Sequence, residues 1–298
     1  MSKMFNKRAA VICLALVFIF LFNWPLTGRL GFPELSPPAV PDSDITVPSS
    51  KVPPDTGTAM PPGAVGAAVP VENSGGDPAK TIYLTFDDGP SKNTAAVLDI
   101  LREYGIKATF FVNGRDSEFA CEMYRRIVGE GHALGNHTYS HDYSYIYASL
   151  DNYLADTEKL ADLLEAATGV RPQLIRFPGG SNNQVSWRYG GKQLMIDLAR
   201  EMTARGYEFF DWNAGGIDAV KGVTARDTIV RTVLKQISRR HETIILLHDG
   251  AKQTTTVEAL PEIIGTLLAD GYEFRPLTPD AYNAHFIDVS LCRAEAGA

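Results

Sequence analysis

Short apolar runs alternate with segments of helical period from Lys80 onward, and this alternation recurs along the rest of the chain. Two parallel strands need a long connection between them, usually a helix, so this order predicts a parallel sheet flanked by helices. The predicted strands are 82–86, 107–112, 132–136, 173–177, 207–211, 243–248 and 272–275. The predicted helices are 93–104, 117–130, 150–168, 191–205, 225–240 and 256–270. We therefore expect the α/β class, with a distorted and incomplete (β/α) barrel.

Five glycines mark the predicted helix ends. Helices commonly end at a residue of positive φ, which glycine adopts at little steric cost. The glycines that stand just past a helical segment are Gly105, Gly131, Gly169, Gly206 and Gly271.

The N-terminus has the features of a membrane-targeting segment. Lys3, Lys7 and Arg8 precede an unbroken apolar run over 9–22. That length is typical of a signal-peptide core and, with its neighbours, approaches the lower limit of a membrane span. The positive flank predicts a cytoplasmic N-terminus with the rest of the chain outside. Because no Ala-x-Ala site follows closely, we expect an uncleaved signal anchor helix over 1–27, with a cleaved signal peptide as the alternative.

Three segments follow this N-terminal one. Residues 28–78 are rich in Pro, Gly, Ser and Ala and are predicted to form a disordered linker. Residues 79–280 are predicted to form the folded domain, and 281–298 a C-terminal tail. The expected location is the cell membrane, with the folded domain outside, or secretion if the signal is cleaved.

The charge of the chain argues against a nucleic-acid partner. The formal net charge is −7 at pH 7, and no cluster of Arg and Lys interleaved with aromatic residues is present. A neutral or weakly charged substrate fits better. The sequence leaves open whether Cys121 and Cys292 pair, since it cannot place their α-carbons within bonding range.

Two adjacent carboxylates, Asp87 and Asp88, follow the first apolar run and precede a Gly-Pro turn. Side chains alternate along a strand, so we expect one to bind a cation and the other to take a proton. His137 and His141 lie four residues apart, which places both rings on one face if the stretch is helical. One Asp oxygen and two His nitrogens form the ligand set of a catalytic divalent metal. Each motif alone has an ordinary alternative. The two aspartates could belong to a turn that caps a helix, and the two histidines could lie exposed on a surface loop.

Polar residues also follow later predicted strands, where a parallel barrel gathers its chemistry on one rim. Arg176 could orient an ionised aspartate through paired hydrogen bonds, or be a solvated charge. His248 follows a fully apolar strand and suits proton transfer, with a structural histidine as the alternative. Asp211 is expected to belong to a polar loop, and Asp218 is the better functional candidate.

Five motifs in this order resemble the polysaccharide deacetylase family, also called the NodB homology domain or carbohydrate esterase family 4. The resemblance covers about 80–275 and implies a distorted (β/α) barrel and metal-dependent removal of N-acetyl or O-acetyl groups from polysaccharides. The motifs lie at 85–90, 137–141, 176–180, 211–218 and 244–249.

The resemblance implies a metal site and a base. Asp87 corresponds to the general base and Arg176 to the residue that pairs with it. The implied metal ligands are Asp88, His137 and His141. Zn²⁺ is the expected metal, with Co²⁺ or another transition metal as the alternative.

The resemblance also implies the acid and the substrate contacts. His248 corresponds to the catalytic acid and Asp218 to the carboxylate that tunes it. Leu246 is expected to line the pocket for the acetyl methyl group, with Gly179 and Trp212 as further substrate contacts.

Two positions depart from the family pattern. Gly179 stands where many members carry an aromatic residue whose backbone amide helps to hold the oxyanion. Ala219 stands where a Trp is usual. Both departures bear on substrate specificity more than on activity.

The expected function is hydrolysis of N-acetyl groups on peptidoglycan amino sugars. Chitooligosaccharide, xylan or exopolysaccharide are alternative substrates, and a non-catalytic carbohydrate-binding module is the alternative class. The expected partners are an acetylated glycan and, through the N-terminal helix, a membrane.

Overall fold

The computed structural model describes residues 80–219, 223–237, 240–288 and 290. The strands are β1 (Thr81–Asp87), β2 (Thr109–Val112), β3 (Ala133–Asn136), β4 (Leu174–Ile175), β5 (Glu208–Phe209), β6 (Ala214–Gly215), β7 (Glu242–His248) and β8 (Glu273–Phe274). The α-helices are α1 (Lys92–Tyr104), α2 (Glu118–Gly129), α3 (Tyr143–Ile146), α4 (Leu150–Thr168), α5 (Leu194–Ala204), α6 (Arg226–Ile237) and α7 (Thr254–Ala269). Short 3₁₀ turns lie at Val185–Arg188 and Ile217–Ala219.

The strands form one parallel sheet that curls into a half-barrel, in the order β5-β4-β3-β2-β1-β7-β6. The short strand β8 pairs with the beginning of β1. The chain therefore follows the predicted α/β class, and the described strands form an incomplete barrel whose path ends at β5 and β6. Strands β1 and β7 pair along their whole length, from Thr81 opposite Glu242 to Asp87 opposite His248. This register places Asp87 and His248 side by side at the same edge of the sheet.

Strand β1 is buried on both faces, which explains its continuous run of large side chains. Ile82, Leu84 and Phe86 belong to the main core, whereas Tyr83 packs in a smaller cluster on the other face. Because side chains alternate, Asp87 continues the face of Tyr83. The concave interior therefore receives the carboxylate at the end of β1.

All seven predicted strands and all six predicted helices are present, with shifts at their ends. The predicted helix over 225–240 is shorter, since α6 ends at Ile237. The glycine caps are confirmed: Gly105 and Gly169 end their helices with φ of 66° and 75°. Two elements were missed, α3 and β6, because four and two residues are too few to show a period.

Several predictions fall outside the described residues. These include the signal anchor over 1–27, the linker over 28–78 and the pairing of Cys121 with Cys292. Within the described part of the chain, none of the helices combines the length and the apolar character that a membrane crossing requires. The domain boundaries remain predictions.

Residues 281–288, which the sequence analysis assigns to a tail, lie against β5. Asn283 donates to the Phe209 carbonyl at 2.7 Å, and His285 lies 3.0 Å from the same oxygen. Phe286 donates its backbone N–H to a carboxylate oxygen of Asp211 at 2.8 Å. We call this segment the C-terminal strap.

Gly215 in β6 offers a test of how this short strand is held. It has a φ of 86°, and an added Cβ would lie 2.1 Å from the Leu246 carbonyl oxygen. Gly191 has a similar φ of 85°, with open space around its Cβ position. Gly191→Ala should lower the free energy of unfolding by about 1–2 kcal/mol through backbone strain, and Gly215→Ala by about 2–5 kcal/mol because the clash adds to it. Urea denaturation of both variants measures this difference, and equal losses would contradict the close approach of β6 to β7.

Candidate active site

A cavity of about 440 Å³ opens at the carboxyl edge of the sheet, a volume ordinary for a small-molecule site. Eight of the ten predicted site residues line it: Asp87, Asp88, His137, His141, Gly179, Trp212, Leu246 and His248. The other two, Arg176 and Asp218, are buried and bond to residues that line the cavity. The structure adds Tyr143, Gly215, Gly216 and Ala219 to the lining.

Asp87 and Asp88 reach the same histidine, although alternation along a strand would separate them. Asp88 has a φ of 76°, so the strand geometry ends there and its side chain turns back. The Nε2 atom of His137 lies 3.7 Å from Asp87 Oδ2 and 3.6 Å from Asp88 Oδ1. Strand alternation therefore does not separate the two carboxylates, because the backbone leaves the strand between them.

The turn after Asp88 requires a glycine. A Cβ at Gly89 would lie 2.5 Å from Asp249 Oδ2 and 2.8 Å from Thr94 Oγ1. Asp249 is itself buried and accepts a hydrogen bond from the Thr94 hydroxyl at 2.5 Å. Gly89 thus lets the turn pack on this pair, which fixes the backbone beneath the two aspartates.

His137 and His141 lie in a loop after β3 and not on a helix. Thr138 and His141 adopt left-handed φ angles of 69° and 53°, which bring the two rings to a centroid separation of 5.1 Å. The Asn136 side chain accepts from the Thr138 N–H at 2.9 Å, and Asn113 donates to the His137 carbonyl at 2.7 Å. Side-chain hydrogen bonds to the backbone therefore hold the loop, in place of the helical spacing that was considered.

The electrostatics of this cluster fit a bound cation. Burial, with a contribution from His141, lowers the pKa of His137 to about 3, so its imidazole is neutral. The His137 Nδ1 atom lies 2.8 Å from the Arg176 carbonyl and must donate to it, which leaves a lone pair on Nε2 facing Asp88. Asp88 Oδ1 is buried and has no hydrogen-bond partner within the described residues. Two acceptors that face each other repel unless a cation lies between them.

The spacing of the donor atoms also suits a metal. Ligand atoms of Asp88, His137 and His141 all lie within 4.8 Å of one another. Asp88 Oδ1 is 3.4 Å from His141 Nε2. Tetrahedral zinc ligands, each about 2.0–2.1 Å from the ion, lie about 3.3 Å apart. One oxygen and two imidazole nitrogens therefore fit Zn²⁺ or a related transition metal in a site with open positions.

His132 is separate from this cluster. Its Nδ1 atom accepts from the Ala108 N–H at 3.1 Å, and its ring packs edge-on against Phe110. Burial lowers the pKa of His132 to about 4, so it is a neutral core residue.

Arg176 is fully buried and holds Asp87 from behind. Its Nη1 donates to Asp87 Oδ1 at 2.9 Å and to Thr85 Oγ1 at 2.7 Å. Its Nε and Nη2 donate to the carbonyls of Phe210 and Asp211. Arg176 therefore makes one hydrogen bond to Asp87 and not the expected pair, because its Nε and Nη2 groups donate to the backbone carbonyls that follow β5. Burial raises the pKa of Asp87, and the Arg176 charge opposes this.

His248 and Asp218 form a second buried pair at the cavity, with His248 on the strand next to that of Asp87. Asp218 accepts from His248 twice, at 3.0 Å from the Nδ1 atom and at 2.7 Å from the backbone N–H. Thr256 donates its hydroxyl to the same carboxylate at 2.9 Å. Burial alone would lower the pKa of His248, but the hydrogen bond and charge of Asp218 outweigh it and raise the pKa to about 9. His248 is therefore protonated at neutral pH.

Trp212 and Leu246 form an apolar corner of the cavity beside Gly216. A Cβ at Gly216 would lie 3.5 Å from both the Leu246 Cδ2 and the Trp212 Nε1 atoms. The indole packs edge-on against Phe286 of the C-terminal strap, with centroids 4.9 Å apart. Asp211 fixes this wall from behind, because it accepts from the Ser181 N–H and hydroxyl and from the strap. The interpretation of Asp211 as part of a polar loop therefore omitted its burial and its structural role.

Sequence reasoning missed Tyr143 and Phe286. Tyr143 begins a one-turn helix, and Phe286 lies over 70 residues from its indole partner in the chain. Neither position carries a periodic or spacing signal. The Asp-Tyr pair directly after His141 is the one local cue that Tyr143 is near the site.

His137→Ala should lower zinc affinity by about 10-fold or more, because it removes one of three ligands in the cluster. Isothermal titration with Zn²⁺ measures this change. His285→Ala is the matched control, since His285 is half-buried on the C-terminal strap outside the cavity. An unchanged affinity in His137→Ala, or an equal loss in the control, would refute the proposed ligand set.

Comparisons with known proteins agree with this geometry. The family model for polysaccharide deacetylase matches residues 74–196. A peptidoglycan-N-acetylglucosamine deacetylase of Bacillus cereus is 31% identical over 203 residues, 67% of this chain and 70% of that protein. A chitooligosaccharide deacetylase of Rhizobium leguminosarum bv. trifolii is 31% identical over 228 residues, 70% of this chain and 95% of that protein. The catalytic domain of a peptidoglycan N-acetylglucosamine deacetylase from Eubacterium rectale matches with a TM-score of 0.67 and 36% identity, over 70% of this chain and 93% of that one. The chain therefore belongs to the polysaccharide deacetylase family of enzymes.

Proposed function

We propose that this enzyme is a metal-dependent hydrolase that removes N-acetyl groups from amino sugars of an acetylated polysaccharide. One observation carries the proposal. A single cavity is lined by the ligand set of Asp88, His137 and His141, by the carboxylate of Asp87 and by the protonated His248. Water-driven amide cleavage needs an electrophilic centre, a base and an acid in one place.

The three ligands would hold a divalent cation. Zn²⁺ is the expected ion, and Co²⁺ is the alternative. When bound, such an ion supplies Lewis acidity that polarises an acyl carbonyl and lowers the pKa of water. The protein sets the protonation state and the orientation of a ligand before the metal binds. His137 is kept neutral by burial, and its ring is oriented by the Arg176 carbonyl.

Asp87 is the proposed general base. It lies beside the ligand cluster, 3.7 Å from His137 Nε2, and one of its oxygens is held by Arg176. The other oxygen faces the cluster and is free to accept a proton from the attacking water. Burial raises the pKa of Asp87 and the Arg176 charge opposes this, and the net rise makes the carboxylate more basic than an exposed one.

His248 is the proposed general acid. Its Nδ1 atom is bonded to Asp218, so the other ring nitrogen is the one available to a substrate in the cavity. A raised pKa keeps the proton in place until the sugar amine departs. Water and the N-acetyl group are then converted to acetate and a free amino sugar, with Leu246 and Trp212 around the acetyl methyl group.

Peptidoglycan amino sugars are the proposed substrate. The relative from Bacillus cereus and the structure from Eubacterium rectale are named for N-acetylglucosamine in peptidoglycan. The N-terminal segment predicted from sequence would hold the domain outside a membrane, next to the wall. The relative named for chitooligosaccharide makes that glycan the first alternative.

The test is acetate release by the purified full chain from peptidoglycan, N-acetylated chitooligosaccharide and acetylated xylan. We expect release from peptidoglycan, its loss with a chelator and its recovery when Zn²⁺ is added back. If acetate is released from only one of the other two glycans, that glycan and not peptidoglycan is the substrate. Glycan binding without release from any of them would favour a non-catalytic module and refute the proposal.

Asp87→Asn should abolish most acetate release while zinc affinity stays near that of the wild type, because the base is lost and the ligands remain. General acid or base groups contribute about 100- to 10,000-fold. Asp88→Asn makes the same substitution at the adjacent proposed ligand, and it should lower zinc affinity as well as activity. Normal turnover by Asp87→Asn would refute its role, and zinc loss in that variant would make Asp87 a ligand.

The pH profile of kcat/KM should report His248. The acid form exists below its pKa, so activity should persist to about pH 9 and fall above it. Asp218→Asn removes the charge that raises this pKa and should move the fall toward the ordinary histidine pKa near 6.5. Thr256→Val keeps that charge and should leave the fall near pH 9. If the fall in kcat/KM at alkaline pH is unchanged in Asp218→Asn, the assignment of His248 as the general acid is contradicted.

A further inference from the structure

Tyr143 is the first residue of α3 and lines the cavity on the side of the histidine ligands. Its ring packs edge-on against His141, with centroids 5.5 Å apart, and edge-on against Tyr147 at 5.4 Å. The phenol is therefore held between the proposed ligand set and a buried aromatic residue. Nothing in the mechanism above uses it.

The Tyr143 hydroxyl lies against the backbone of Gly179. An added Cβ at Gly179 would be 2.8 Å from the hydroxyl oxygen, so the phenol occupies the volume that a side chain there would enter. This is one of the two positions that depart from the family pattern, where many members carry an aromatic residue. The chain thus supplies an aromatic group to this place from α3 and not from the exit of β4.

Two hydrogen-bond donors at this place lack acceptors. Within the described residues, neither the Tyr143 hydroxyl nor the Gly179 N–H has a hydrogen-bond partner. Both residues line the cavity, so the donors are available to a bound molecule. Polar groups in a site usually find a partner, and a molecule bound in the cavity can supply one to both donors.

The position of the two donors is fixed before any ligand binds. Tyr147 donates its hydroxyl to the Pro178 carbonyl at 2.8 Å, and Asn183 donates to the same carbonyl at 3.2 Å. The first bond joins the C-terminal cap of α3 to the loop that carries Gly179, and the second braces that loop internally. Donors held in place are more effective at stabilising developing charge than donors that must reorganise.

We propose that Tyr143 is a further catalytic residue, whose hydroxyl donates a hydrogen bond to the acyl oxygen of the substrate beside the Gly179 amide. The inference rests on the proposed function and extends it to the oxyanion. The proton stays on the phenol throughout, so no bond forms or breaks at Tyr143. The contact strengthens as negative charge develops on that oxygen, which is a transition-state effect.

Tyr143→Phe tests this directly, because it removes the hydroxyl and keeps the ring contacts with His141 and Tyr147. We expect kcat for acetate release to fall by about 10- to 100-fold, with KM and zinc affinity within about twofold of the wild type. Tyr145→Phe is the matched control, since that tyrosine lies in the same helix, is exposed and does not line the cavity. The control should retain wild-type kcat.

A second measurement does not depend on turnover. In a crystal of the full chain grown with Zn²⁺ and acetate, an acetate oxygen should lie within hydrogen-bond distance of the Tyr143 hydroxyl. An acetate that contacts only other groups would overturn the inference, and so would wild-type kcat in Tyr143→Phe. A 10-fold loss of zinc affinity in that variant would also overturn it, because the tyrosine would then act through the metal site. Failure of the wild type to release acetate from any glycan would instead refute the proposed function.

Discussion

The buried guanidinium of Arg176 connects most of the site. Its donors satisfy Thr85 and Asp87 in β1 and the carbonyls of Phe210 and Asp211 after β5, so one side chain links both sides of the half-barrel. A buried charge is tolerated only when paired and hydrogen-bonded, and breaking such a pair costs about 3–5 kcal/mol. The contacts that orient the proposed base are therefore also contacts that stabilise the sheet.

The backbone of Arg176 extends this connection to the proposed metal site. Its carbonyl accepts from His137 Nδ1, which sets the tautomer that directs the Nε2 lone pair toward Asp88. One residue thus orders the base through its side chain and a ligand through its main chain. The register of β1 with β7 sets His248 beside Asp87, and Asp218 keeps that histidine protonated. The proposed base and the proposed acid therefore each have their own buried partner, Arg176 for Asp87 and Asp218 for His248.

Site residues that directly follow long apolar strands could be predicted from the sequence. Asp87 and His248 follow uninterrupted buried runs, and the parallel topology alone places such exits on one edge. The sequence could not predict the left-handed turn at Asp88, because the backbone there depends on how the next residue, Gly89, packs against Asp249. Tyr143 was missed because a four-residue helix shows no period. The wall formed by Trp212 and the C-terminal strap depends on contacts between distant parts of the chain, which a single sequence does not encode in any local pattern.

The central claim is that Asp88, His137 and His141 hold one metal ion beside an unligated Asp87. Anomalous X-ray diffraction at the zinc edge, from crystals of the zinc-loaded chain, tests it most directly. The account predicts a single anomalous peak bonded to one oxygen of Asp88 and to Nε2 of both histidines, with Asp87 bonded to Arg176 and not to the metal. A peak elsewhere, or a zinc ion bonded to Asp87 in place of Asp88, would contradict it.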